Sequence, residues 1–267
     1  MGKNLSILML VAAMAVASSC SSQFEKLLTS YNYGDKYRAA LQYYEDGKYS
    51  KAAQLFENIA VNVQGAPQED TVRYYWGMSN YKMKDYVTAQ SNFQEFLQSF
   101  PSSPFAKDAE FCMIDCMYEQ TYRWELDQRP TELALSYIYK YIIENAGTEN
   151  AKRCKIMSDD LEERLDKKAF EGARLYYHME DYKAAHRALK NVIKNDADNQ
   201  YREEILYFTA MASYKYALNS VEDKQRERYM TFIDDYFNFV SEYPQSKHKA
   251  ELEGIYNKVS KIVKKEN

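Results

Sequence analysis

Between Gly77 and Pro101 the chain reads GMSNYKMKDYVTAQSNFQEFLQSFP, with apolar positions three and four residues apart on either side of a polar break at Met83-Lys84-Asp85. That periodicity predicts two amphipathic helices joined by a tight turn. Small residues stand where the helices must cross: Gly77 on the first, Ala89 on the second. Phe93 and Phe96 follow, and Pro101 ends the unit. The arrangement recurs. Ala52 has Ala40 twelve residues before it and Phe56 four after, and Ala185 has Ala173 and Leu189 in the same places. A tyrosine precedes each alanine by three residues (Tyr49, Tyr86, Tyr182), and the words EDGKYSKAAQLF, KMKDYVTAQSNF and HMEDYKAAHRAL align. Two looser copies complete the series. One has Ala134, Ile138 and Tyr141 behind the helix-start run Asp127-Gln128-Arg129-Pro130-Thr131, and the other has Phe232, Tyr236, Phe239 and Pro244.

This small–aromatic–proline spacing is the tetratricopeptide pattern. The anchors at 52, 89, 134, 185 and 232 lie 37, 45, 51 and 47 residues apart. All exceed the roughly 34 residues of the repeat, so the later repeats carry lengthened turns or helices. A single helical hairpin cannot bury its apolar stripe, but stacked hairpins form one continuous core. The expected fold is all-α, a right-handed superhelix of about five tetratricopeptide helix-turn-helix repeats.

Composition agrees with this. Only 8 glycines and 5 prolines occur in 267 residues, and every proline falls at an expected helix end. The chain is 46% hydrophobic, enough for a large core. Residues 1–20 stand apart. Lys3 is their only charge, Leu5 to Ala17 is apolar, and Ala17-Ser18-Ser19-Cys20 closes the run. Such a run is a signal peptide, too short to span a bilayer. Its end resembles a lipobox, which implies cleavage before Cys20 and acylation of that cysteine with palmitate-class chains. Two or three chains anchor a protein where one is marginal. Cleavage removes Lys3 and leaves 34 basic against 39 acidic side chains, net −5. No basic excess speaks for nucleic acid. The expected organisation is a signal peptide over 1–19, a lipidated tether over 20–33, repeats 1–3 over 34–146 and repeats 4–5 over 147–267.

Catalytic chemistry is not legible. Cys112 and Cys116 share a helix face without further metal ligands nearby and read as buried small apolar residues, while Cys154 could pair with one of them only if the fold brings them together. His178, His186 and His248 form no ligand spacing. There is no nucleophile elbow, zinc-protease motif, phosphate loop or C-x-x-C. No enzyme, metal or cofactor is expected.

In the repeat family, certain first-helix positions face a concave groove. Mapped here, they include Tyr37 and Tyr44 of the first repeat, Tyr74, Met78, Tyr81 and Lys82 of the second, and Phe170, Arg174 and Tyr177 of the fourth. An aromatic recurs at 37/74/170 and at 44/81/177, a surface suited to an extended peptide with aromatic side chains. Arg38, Arg73 and Lys82 could offer cations to a peptide carboxylate. Packing between helices is the competing role for these rings. For Tyr43, Tyr49, Tyr86, Tyr176 and Tyr182 packing is the expected role.

The segments FPSSPFAKDAEFCMIDCMYEQ and LDQRPTELALSYIYKYI, behind the lipobox-like Cys20, make the chain similar to the BamD family of outer-membrane assembly lipoproteins. The matching positions are Pro101, Ser103, Ala106, Ala109, Asp127, Gln128, Thr131 and Ala134. Phe100 and Phe105 replace the family's tyrosines. The resemblance implies a periplasm-facing, lipid-anchored scaffold at the outer membrane. Its early repeats would bind unfolded β-barrel proteins. Its last two, with Phe170, Arg174 and Tyr177, would dock a BamA-like barrel subunit beside other assembly lipoproteins. The alternative is a surface lipoprotein with helical repeats that captures carbohydrate or coordinates the cell envelope.

Overall fold

The computed structural model describes residues 23–265. Twelve helices account for the regular structure among them: α1 (23–29), α2 (Tyr33–Glu45), α3 (Tyr49–Ala60), α4 (Glu69–Lys82), α5 (Tyr86–Ser99), α6 (Ala106–Glu119), α7 (Arg129–Glu144), α8 (Glu149–His178), α9 (Tyr182–Asn195), α10 (Arg202–Leu218), α11 (Glu222–Glu242) and α12 (Lys249–Lys265). The all-helical expectation holds for the described residues. Cys20 and the expected signal peptide lie outside them.

The three best-aligned repeats share one turn. The N–H groups of Gly47, Lys84 and Glu180 donate to the carbonyls of Tyr44, Tyr81 and Tyr177 at 3.0, 2.9 and 3.1 Å. The next N–H groups, of Lys48, Asp85 and Asp181, reach back to Tyr43, Asn80 and Tyr176 at 2.8, 3.0 and 3.0 Å. This double closure is the Schellman motif, which requires a left-handed residue at its first donor. Gly47 adopts it at φ +74°, whereas Lys84 and Glu180 do so at +62° and +61° against the side-chain preference. Asp85 and Asp181 then cap the following helices, accepting from the N–H of Thr88 at 3.2 Å and of Ala184 at 3.0 Å.

The anchor alanines lie where the helices nest. Ala52, Ala89, Ala134 and Ala185 are fully buried, as are Phe56, Phe93, Ile138, Leu189, Phe232 and Phe239. A Cβ on Gly77 would stand 2.8 Å from Cε1 of Phe93, so α4 and α5 touch there with no room for a methyl group. Of the tyrosines expected to pack, Tyr176 differs. It is 44% exposed near the end of α8, where its backbone, through the carbonyl that accepts from Asp181, does the structural work.

The contacts divide into two compact units. The first holds the chain up to Thr121 together with Arg129–Lys155, and the second holds Tyr122–Gln128 and the chain from Ile156 onward. In the first, each helix from α2 to α7 packs on the next, and the first helix α4 also touches the first helices α2 and α6. Phe24 of α1 is buried against Tyr43, with ring centroids 5.7 Å apart. In the second unit α9, α10, α11 and α12 pack in sequence around Phe232, Phe239 and Leu252. Residues 122–128 are strapped to α8. The Lys168 ammonium donates to the carbonyls of Trp124, Glu125 and Leu126 at 3.2, 3.3 and 2.7 Å, and the buried Gln128 amide closes the loop onto the carbonyls of Arg123 and Leu126.

Candidate functional site

The aromatic positions of the first helices form a repeating lattice. In the first unit Tyr44 meets Tyr49 across the turn at 5.4 Å and Tyr75 of the next first helix at 4.9 Å, both edge-to-face. In the second unit Tyr177 meets Tyr182 at 5.4 Å and Phe208 at 5.2 Å in the same way. Tyr75 follows Tyr44 by 31 residues, as Phe208 follows Tyr177. The other expected register behaves alike. Tyr74 stacks on Phe105 at 4.4 Å and Phe170 stacks on Tyr201 at 5.4 Å, again 31 residues on. Edge-to-face and offset-stacked rings are the favoured aromatic geometries, each adding about 0.5–1.5 kcal/mol beyond area burial.

The hydroxyls follow a second offset. Tyr74 donates to the carboxylate of Asp108 and Tyr81 to that of Asp115, each 34 residues further on. Burial together with the acceptor carboxylate pushes the Tyr74 and Tyr81 phenols well above their ordinary range. Burial, then neighbouring Tyr49 and Tyr75, raises Tyr44 to about 12. These rings stay neutral at any physiological pH. Asp115 is itself buried, with Arg153 4.0 Å from its other oxygen.

The sequence-expected residues therefore fall into three groups. Tyr74, Met78 and Phe170 are buried at 7%, 8% and 2% exposure and face other side chains. Tyr37, Tyr44, Tyr81 and Tyr177 are half-buried, each with part of its ring at the surface. Arg73, Arg174 and Lys82 carry the charge. Arg73 is held by Glu69 at 3.0 Å and Arg174 by Glu171 at 2.7 Å, with the Arg174 guanidinium over the Phe170 and Phe208 rings. Arg38 is paired with Asp35. Lys82 is exposed and, among the described residues, has no acidic partner within ion-pair distance. Half-buried rings beside a free ammonium can take apolar or aromatic side chains and one carboxylate by contact alone. Sequence reasoning missed Tyr75, Phe105, Tyr201 and Phe208, which complete the lattice. The recurring 31-residue offset was the available signal.

The three thiols are buried and free of disulfides. Burial raises them all, Cys116 to about 12 and Cys154 to about 11, with Asp115 the next cause in both. A protonated, enclosed thiol is not a nucleophile. Among the described residues, no three His, Cys, Asp or Glu side chains converge as a metal site. No helix there is long and apolar enough to cross a membrane.

Residues 30–229 match the model of the YfiO family, described as outer membrane lipoprotein. No curated protein matches the chain. Among solved structures, the crystal structure of TTC0263, a thermophilic TPR protein of Thermus thermophilus, overlays 85% of this chain and 98% of its own at 16% identity. Its TM-score of 0.32 is too loose to place any residue.

Proposed function

The chain belongs to the YfiO family of outer membrane lipoproteins, and from that premise we propose that it is a non-enzymatic scaffold of the machinery that assembles β-barrel proteins into the outer membrane. The observation that carries this is the family match across residues 30–229, which takes in parts of both compact units. Cys20, acylated after removal of residues 1–19, holds the protein on the membrane with its repeats toward the periplasm. The first unit receives unfolded barrel segments. Tyr37, Tyr44 and Tyr81 offer half-buried ring surface and Lys82 takes a carboxylate, while Tyr74, Met78 and Arg73 form the supporting wall. The last repeats dock a BamA-like barrel subunit through Arg174 and Tyr177, backed by Phe170, beside other assembly lipoproteins. The family match does not favour a carbohydrate-capturing or envelope-coordinating lipoprotein.

Crosslinking tests the groove. A photoreactive residue at Tyr44 or Lys82 in intact cells should trap barrel precursors, and one at the exposed Ile143 of α7 should not. Equal capture from all three positions contradicts the groove. The anchor is tested separately: Cys20→Ala should move the protein from the membrane to the soluble fraction, and unchanged fractionation contradicts lipid attachment.

A further inference from the structure

We propose that the pocket between α9, α10 and α11 binds a phosphate monoester. The pocket encloses about 400 Å³ within the second unit. Lys183 and Arg187 line one wall from α9, Lys224 and Arg228 line another from α11, and Tyr216 lines it from α10. Each basic pair is spaced four residues apart and so shares one helix face. Glu227 is the single carboxylate of the lining, and it lies 3.7 Å from Lys224. His186, also at the rim, is turned onto the buried Asp235 at 2.7 Å.

Lys183 and Arg187 have no ion pair or hydrogen bond among the described residues. Arg228 is fixed in place. Its guanidinium lies 4.1 Å from the Tyr216 ring centroid and donates to the Ser220 hydroxyl. The whole chain is net −4, so four cationic side chains in the lining of one concavity do not follow from composition. Like charges facing one another across a pocket repel, and an anion between them removes that cost. The geometry selects the kind of anion. A carboxylate presents two coplanar oxygens and one charge, which a single guanidinium fork satisfies. Cations on separate walls suit oxygens that point in several directions, and a phosphate monoester presents three, with close to two charges at neutral pH. The volume leaves room for a sugar- or glycerol-sized group beside the phosphate. This site is independent of the docking role proposed for the last repeats.

The test uses the full chain in an uncharged detergent, titrated by calorimetry with inorganic phosphate, glucose 1-phosphate, dihexanoyl phosphatidic acid and pentaglutamate. Saturable binding of the phosphate compounds is expected, and the tighter of the two esters identifies a soluble or a lipid source. Lys183→Gln with Arg187→Gln should weaken it at least tenfold, and Arg187→Glu alone should do the same. Both positions are exposed, so folding should survive, as an unchanged melting temperature would confirm. Lys258→Gln with Lys261→Gln removes the same charge from α12 and should leave affinity unaltered. Absence of saturable phosphate binding, equal loss in both double variants, undiminished binding in the pocket variants, or pentaglutamate binding as tightly as the esters overturns the proposal.

Discussion

Tyr81 shows how one residue can serve packing and surface together. Its ring lies 6.1 Å from Tyr86 and its hydroxyl donates to Asp115, a carboxylate only 10% exposed. Removing the hydroxyl leaves that acceptor short of a donor inside the protein, a loss of about 1–3 kcal/mol. Tyr81→Phe should therefore lower the melting temperature while leaving the ring surface intact, and an unchanged melt contradicts the bond. Among the described residues the Tyr44 hydroxyl makes no such bond across the repeats, which makes it the cleaner probe of ligand binding. Asp166 offers a pH test. Burial, then Asp196 and Glu162, raises its carboxyl to about 6, against the opposing N–H of Gln200 at 2.9 Å. A carboxyl raised on folding contributes stability that is complete below its unfolded pKa, 3.8, and lost as pH rises through about 6. Asp166→Asn, whose amide oxygen can still accept from Gln200, should raise the melting temperature at pH 7.5, with the gain shrinking toward pH 4. A gain independent of pH contradicts the assignment.

At the scale of the helix, most of the architecture was legible because the crossings demand small residues. Ala52, Ala89 and Ala185 announce the second helices, and the turns at Gly47, Lys84 and Glu180 fall where the polar breaks predict them. Ala89→Asp puts a charge at a fully buried position, costing about 3–5 kcal/mol. It should abolish the cooperative melt of the first unit; an unaltered curve contradicts the nested hairpin. Two of the lengthened spacings, of 45 and 51 residues, have sources that periodicity could not reveal. Residues 122–128 form a strap whose carbonyls, not side chains, meet Lys168, and backbone acceptors leave no trace in a pattern of apolar positions. Glu149–His178 runs as one helix of 30 residues, with no proline to interrupt it. The aromatic lattice was half legible. Register picks out 37/74/170 and 44/81/177, but the ring partners of Tyr44, Tyr74, Phe170 and Tyr177 sit on the following repeat and are brought to them only by the fold.

For the molecule as a whole, the sequence reading and the family match both give an outer membrane lipoprotein. The first rests on Cys20, the repeat anchors and two short segments, and the second extends over 200 positions from 30 to 229. Net charge near neutrality, three enclosed thiols and half-buried neutral tyrosines make a chain suited to holding other proteins by contact. We propose that it does this within the barrel-assembly machinery. The most direct measurement is affinity capture of the tagged, lipidated protein from gently solubilised outer membrane, read by mass spectrometry. Stoichiometric recovery of a BamA-like barrel subunit is expected, reduced when Arg174 and Tyr177 are both replaced by alanine. Recovery of a sugar-transporting porin in its place, with no BamA-like subunit, would contradict it.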